Sequence, residues 1–337
     1  MTREASNTEG YVLVTGAAGR LGGLVVRRLH RTRRVTAIDR RPFAGYPRDV
    51  VVHRLDIRRR KCEDVFRTMP VTAVVHLGIM HDPRRGAEEH HTFNVAGTQQ
   101  LLEYCVRHGV RKFVFLSSAN VYGPRPSNPQ FLTEDAPLMA AGTFQAIGDL
   151  VAVDMYVQSF FWKEPAIETV VLRPVHIVGQ VHNAPSNYLR LRRIPMLAGF
   201  DPMVQIIDEQ DVALGIELAL RPGVRGVFNL AGPPPVPLST VVGLTGKPVL
   251  HVPHRAFADA MQRMWRWRLT SFPPPELDHI RYVCLVNDTL ARTVLGFRHR
   301  YGVRDIVDGV LGRRISAPDE AARIRPMRAA VETAAAS

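Results

Sequence analysis

The residues best placed to do chemistry in this 337-residue chain are three glycines and an acid. Gly16, Gly19 and Gly22 stand at G-x-x-G-x-x-G spacing within Thr15-Gly16-Ala17-Ala18-Gly19-Arg20-Leu21-Gly22. An apolar, β-branched run, Tyr11-Val12-Leu13-Val14, comes directly before them, and a segment with helical spacing follows. Gly16 permits a tight turn, Gly19 lets backbone approach a pyrophosphate with no Cβ in the way, and Gly22 lets the helix pack close to the strand. The start of that helix offers unbonded N–H groups and partial positive charge to phosphate oxygens. Asp39 closes the second apolar run, 23 residues after Gly16. A carboxylate there accepts hydrogen bonds from a ribose 2′-OH and repels a 2′-phosphate. The pattern therefore predicts NAD. NADP is the less favoured cofactor, with Arg40 and Arg41 its only advocates.

The elements that must hold such a loop are legible as alternating strands and helices. Short apolar runs at residues 11–15, 35–39, 50–55, 73–78, 112–117 and 169–173 read as buried parallel strands, with helical stretches at 20–31, 88–108 and 145–161. Strand and helix at this rhythm imply βαβ units, and so an α/β, Rossmann-type doubly wound parallel sheet. The tail from about Ser316 is rich in Ala, Arg and Glu and reads as a weak helix or disordered chain.

Composition excludes several classes. With 46% hydrophobic and 22% charged residues the chain is neither collagen-like, disordered nor coiled coil. No apolar run approaches the roughly 18 residues that span a bilayer, and Met1 to Gly10 lacks the basic and apolar regions of a secretory signal. Cys62, Cys105 and Cys284 lie far apart, without a metal or disulfide pattern, so the expectation is a cytoplasmic protein with no metal. The net charge of +13 comes almost wholly from arginine, since only Lys61, Lys112, Lys163 and Lys247 are lysines. The dense runs at 27–34 and 58–61 fall at helix ends and read first as solvated charge; without interleaved aromatics they do not predict a nucleic-acid partner.

The glycine loop resembles that of the extended short-chain dehydrogenase/reductases, the NAD-dependent epimerase/dehydratase family. Leu55-Asp56-Ile57, Val75-His76-Leu77-Gly78, Asn94-Val95-Ala96-Gly97-Thr98 and Phe115-Leu116-Ser117-Ser118-Ala119-Asn120-Val121-Tyr122-Gly123 are similar to successive family landmarks. So are Arg173-Pro174-Val175-His176-Ile177-Val178-Gly179, Asp211-Val212-Ala213, Phe228-Asn229-Leu230-Ala231-Gly232 and Leu295-Gly296-Phe297. The resemblance covers about 10–312 and implies a Rossmann domain over 10–179 plus 206–235, with a smaller discontinuous substrate domain over 180–205 plus 236–315. It implies diphosphate contacts at Gly16, Ala18, Gly19, Arg20, Leu21 and Gly22, and ribose contacts at Asp39 and Arg40. Asp56 and Ile57 would meet the adenine, while Leu77, Gly78 and Asn94 would line the cofactor. Ser117, Gln145, Pro174 and His176 would stand near the nicotinamide. It also implies a homodimer through the helices at 88–108 and 145–161, and a small substrate such as a nucleotide sugar.

The family is similar in using a Ser or Thr, a Tyr, and a Lys four residues after that Tyr. The phenol exchanges a proton while hydride moves to or from the nicotinamide. The neighbouring ammonium lowers its pKa from about 10 and holds the ribose. Ser118 occupies the Ser position. The expected pair falls on Ala141 and Gln145, or in a shifted register on Phe144 and Gly148, and none of the eight tyrosines has Lys four residues later. Three readings follow: an enzyme with a non-standard acid/base, a catalytically silent dinucleotide-binding sensor, scaffold or assembly protein, or a nucleic-acid-associated protein. Candidate substitutes for the missing base are Tyr122 and His176 first, then His81, Asp149, His182 and Tyr188. Arg190, Arg192 and Arg193 are a candidate diphosphate cluster.

Overall fold

A computed structural model describes residues 10–43, 45–80, 85–142, 145–267 and 274–314. Three sequence readings lie outside the described residues: the tail from Ser316, His81 as a base, and Phe144 in the shifted register.

The first half builds β1 (Tyr11–Thr15), α1 (Arg20–Leu29), β2 (Arg34–Asp39), β3 (Val51–Arg54), α2 (Lys61–Thr68) and β4 (Val71–His76). It continues with α3 (Ala87–His91), α4 (Gly97–Arg107), β5 (Lys112–Leu116), α5 (Gln145–Lys163) and β6 (Glu168–Pro174). Then follow β7 (His176–Val178), α6 (Ala184–Arg190), β8 (Ile194–Leu197), β9 (Met203–Val204), β10 (Ile206–Asp208), α7 (Glu209–Ala219) and β11 (Gly226–Leu230). The chain finishes with β12 (Val236–Pro237), α8 (Leu238–Leu244), β13 (Val249–Val252), α9 (His254–Arg266), a 3₁₀ segment at Pro274–Ile280 and α10 (Val303–Val310).

Seven strands form one parallel sheet in the order β11-β6-β5-β4-β1-β2-β3. The order reverses at β1, and such a switch point opens a crevice beyond the C-terminal strand ends. The strands read as continuous apolar runs because both faces are covered: Leu13, Val14, Val74, Val75 and Val114 are fully buried. One layer packs Val25, Val26 and Leu29 of α1 with Val212 and Ile216 of α7, and the other packs α2, α4 and α5. A third core joins Leu189, Ile194, Met196, Val241, Val242, Ile306 and Val307.

The long helix expected at 88–108 runs without interruption from Ala87 to Arg107, with one π-turn at Thr92–Ala96 between α3 and α4. Gly97 begins α4 there, where a Cβ would come within 2.9 Å of the Ile57 side chain. Leu101, Leu102, Tyr104 and Cys105, with Val151, Val153, Val157 and Phe160, face the sheet, so the outer faces of α4 and α5 show Val106, Met155 and Trp162 instead. Among the described residues no helix is long and apolar enough to cross a membrane.

Candidate functional site

The loop between β1 and α1 is held where side chains have no room. Gly16 has φ +70°, and a Cβ on it would lie 2.8 Å from the backbone of Leu77 and Gly78 at the end of β4. A Cβ on Gly22 would lie 2.2 Å from the Gly16 carbonyl oxygen. Gly19 caps α1 in extended backbone without a side-chain cap. The amides of Ala17, Ala18 and Gly19 are used by the Ile38 carbonyl, the Asp39 carboxylate and the Gly16 carbonyl. Among the described residues those of Arg20, Leu21 and Gly22 donate to no backbone acceptor. Three free N–H groups thus point out of the start of α1, the arrangement that receives an anion. The Arg20 guanidinium, half exposed, stands 3.6 Å from Glu209 at the start of α7.

At the far end of β2, Asp39 is buried and already engaged. Its Oδ2 accepts from the Ala18 amide at 2.9 Å, its Oδ1 from the Arg41 amide at 2.9 Å, and the exposed Arg41 guanidinium reaches both oxygens at 3.3 Å. Asp56 is likewise gripped by Arg58, with Nη2 at 2.7 Å from Oδ2. Burial works to raise the Asp56 carboxyl, but the Arg58 bonds hold it below the usual range. Arg40 and Arg58 flank the Phe93 ring at 4.9 and 5.4 Å, and Arg40 pairs with Glu89. Ile57 is buried beneath this end in the α2–α4 layer.

Between the two ends, buried hydrogen bonds set the floor. His76 bridges Thr15 at 2.6 Å and Thr98 at 2.9 Å, and burial lowers its pKa to about 3, so it is a neutral spacer. Asn94 accepts from the Met80 amide and donates to the Met80 carbonyl, which fixes the segment carrying Leu77 and Gly78 beyond β4.

Beyond β5 and β6 lies a closed polar network. The Ser117 hydroxyl donates to Asp154 at 2.5 Å; Arg173 grips the same carboxylate through Nε at 3.0 Å and Nη2 at 2.6 Å. Arg173 Nη1 also donates to the Tyr122 hydroxyl at 2.8 Å, and that hydroxyl donates to Asn229 Oδ1 at 2.8 Å. Burial pushes the Tyr122 phenol up to about 12. With both its bonds made and 1% exposure, Tyr122 has no free proton-transfer position. The Ser118 hydroxyl accepts from the Asn120 amide at 3.1 Å and caps the following 3₁₀ turn, which leaves its own O–H to donate elsewhere. Ala141 is exposed on the approach to α5, which Gln145 begins. Gly148 is packed on Ala141, where a Cβ would lie 2.9 Å from the Ala141 carbonyl oxygen, so the shifted register offers no room for a lysine.

The other candidate bases separate. Tyr188 donates to the Pro195 carbonyl, and burial raises its phenol. Asp149, buried in α5, meets His91 at 3.2 Å. His182 is exposed. Arg190 is spent on the carbonyls of Gly179 and Val181, and Arg192 and Arg193 are exposed.

His176 is different. It opens β7 two residues after Pro174, which ends β6 in register with Leu230. Its ring lies edge-to-face with that of His279, centroids 5.1 Å apart. Nδ1 of each ring is shielded from solvent and has no hydrogen-bond partner. Burial lowers His176 to about 4 and His279 to about 3, the latter helped by His176 itself. Nearby in sequence, burial raises Glu276 to about 7, and Arg281 keeps a buried, unpartnered Nε while lying over the rings of Phe200 and Tyr282. None of His279, Glu276 and Arg281 was expected from sequence. They sit at no motif spacing, and only the return of the chain past the Ser118 turn brings them here. Among the described residues no three His, Cys, Asp or Glu side chains group so as to hold a metal ion.

The fold and this crevice define a Rossmann-type dinucleotide-crevice protein. A model of the NAD dependent epimerase/dehydratase family matches residues 12–230, and the chain belongs to that family. An uncharacterized protein of Mycobacterium tuberculosis, Rv0501, is 28% identical over 316 residues, covering 88% of this chain and 82% of its own length. UDP-glucose 4-epimerase 4 of Oryza sativa subsp. japonica is 33% identical over 206 residues, covering 55% of this chain and 53% of its own. Among solved structures, MoeE5 in complex with UDP-glucose and NAD superposes with a TM-score of 0.71 at 23% identity, covering 90% of this chain and 98% of that one. Thermus thermophilus UDP-glucose 4-epimerase in complex with NAD gives 0.69 at 22% identity, covering 90% and 100%. At these identities the structural likeness establishes the fold.

Proposed function

We propose that the chain binds NAD across the C-terminal edge of its sheet and acts as an epimerase/dehydratase-like oxidoreductase on a hydroxyl or carbonyl of a nucleotide-sugar-class substrate, with an acid/base other than the Tyr–Lys pair. One observation carries the cofactor reading: three free first-turn amides of α1 stand under a loop whose Gly16 and Gly22 leave no space for a side chain. In this reading Gly16 to Gly22 hold the diphosphate, with Arg20 beside it, and Asp39 with Arg40 meets the adenosine ribose. Asp56 and Ile57 border the adenine, and Leu77, Gly78 and Asn94 form the floor. Ser117, Pro174, His176 and Gln145 surround the nicotinamide end, and Ser118 donates to the substrate oxygen. NAD would supply the hydride acceptor; the chain's own residues bind, orient and move the proton. The family membership and the nucleotide sugars held by its structural neighbours support this substrate class. Calorimetric titration tests the cofactor: NAD binds and NADP binds more weakly, while no binding of either at millimolar concentration overturns the reading.

The second reading is a dinucleotide binder that does not turn its cofactor over. The sealed Tyr122 hydroxyl and the absence of any Tyr followed four residues later by Lys favour it. It requires bound NAD to stay oxidised with every nucleotide sugar offered. The proposed assembly is a homodimer through the outer faces of α4 and α5, where Val106, Met155 and Trp162 lie exposed. Light scattering at micromolar concentration tests it, and a monomer mass overturns it.

A further inference from the structure

We propose that His176 and His279 form an imidazole pair that takes the substrate's proton in place of the missing tyrosine, on a sugar carried by a nucleoside diphosphate. The inference rests on the NAD reading above and specifies the base at that same site. Two half-buried imidazoles meet edge-to-face at 5.1 Å, and each has a buried Nδ1 with no partner among the described residues. A buried unpaired ring nitrogen is costly in a finished core; His53 and His254 also carry one, but among the described residues only His176 and His279 meet imidazole to imidazole, whereas His76 is tied down by Thr15 and Thr98. Both rings sit at the correct end of the sheet. His176 follows the strand whose Arg173 holds the Ser117–Asp154 contact. The chain after His279 turns back along the Ser118 turn, where the Cys284 thiol reaches the Ala119 carbonyl at 3.9 Å and the Asn128 amide donates to the Val283 carbonyl at 3.1 Å. Arg281, two residues after His279, has no carboxylate partner among the described residues, so its charge is left for an anion. A diphosphate with its sugar matches that combination of cation and open ring nitrogens.

Burial keeps both rings neutral near pH 7, the form with a lone pair to offer. In the oxidative direction the carbinol C–H bond breaks and its hydride, with two electrons, goes to NAD⁺. The hydroxyl O–H bond breaks and its proton goes to an imidazole nitrogen; the alcohol becomes a carbonyl. The second ring stands edge-to-face against the first at 5.1 Å and holds it in place while the proton is taken.

The experiment uses the full chain loaded with NAD and four probes: UDP-glucose, UDP-galactose, UDP-glucuronate and dTDP-glucose. Reduced nicotinamide is followed by absorbance for the wild type and for His176→Phe, His279→Phe and His279→Gln. The expected result is reduction by at least one probe in the wild type and a loss of about 100-fold or more in rate in each variant, with NAD affinity of the two His279 variants within twofold. His279→Gln, which keeps a hydrogen-bonding group of similar reach, is expected to lose kcat while KM for the probe stays within threefold, and retained thermal unfolding shows that it folds. Rates within threefold of wild type in the variants overturn the pair. So does the absence of reduction by all four probes while NAD binds, and this leaves the cofactor reading intact. Failure of NAD to bind overturns the cofactor reading itself.

Discussion

The two ends of the crevice are built on opposite terms. At the adenosine end the polar side chains have internal partners: Asp39 is held by Ala18 and Arg41, Asp56 by Arg58, and Asn94 by Met80. At the other end His176, His279 and Arg281 keep buried nitrogens with no partner. A satisfied network rigidifies a surface and lets it serve as a template, while unsatisfied groups raise the free energy of the empty site and favour whatever completes them. In the proposed reading, recognition of an invariant ligand falls to the first region and discrimination and chemistry to the second.

Breaking the closed network beyond β5 and β6 has the largest expected effect. Asp154→Ala leaves the Arg173 guanidinium, 1% exposed, without its counter-charge, and the expected loss is about 3–5 kcal/mol of folding stability by chemical denaturation. A loss below about 1 kcal/mol would mean the network does not hold that region together. Next comes an attempt to convert the open end to family chemistry. Ala141→Tyr with Gln145→Lys is expected to raise hydride transfer by about 10²–10⁴-fold in the His279→Phe background, and no gain in absorbance rate would reject the alignment of those two positions. A third check reads the open end through pH. The rings of His176 and His279 titrate at about 4 and 3 in the fold but near the ordinary histidine value, about 6.5, when unfolded. Between these values the unfolded chain binds more protons, so stability falls as pH drops below about 6.5, by at most about 1.4 kcal/mol per pH unit for each ring. Denaturation curves for His176→Phe should show a shallower slope, and an unchanged slope would mean the ring is not held neutral. The smallest effect is expected at the ribose. Asp39→Ala should weaken NAD about tenfold, near 1.4 kcal/mol, and NADP less; equal effects on both would remove the ribose assignment.

Much of the nucleotide end was legible because its constraints are local. Gly16 and Gly22 are needed by one turn, and Asp39 ends the next strand, so spacing alone points to them. Ser117 and Arg173 were readable as landmarks, but their joint grip on Asp154 was not, because the residues lie on β5, β6 and α5 and meet only through the sheet register. Tyr122 shows the limit in the other direction: a tyrosine beside the expected Ser looked like a substitute base, and burial gave both sides of its hydroxyl to Arg173 and Asn229. The π-turn at Thr92–Ala96 carries no glycine or proline within it, so the sequence shows the helix but not its one widened turn.

By itself the sequence determined the parallel sheet, the anion-receiving turn and the absence of a tyrosine with lysine one helical turn away, because strand runs, glycine spacing and residue identity are properties of the chain read in order. Only the tertiary structure decided which polar groups are left over. Whether a histidine is a spacer like His76 or keeps an unpartnered nitrogen like His176 depends on what packs against it, and residue 279 stands 103 positions beyond residue 176, farther than any local pattern reaches.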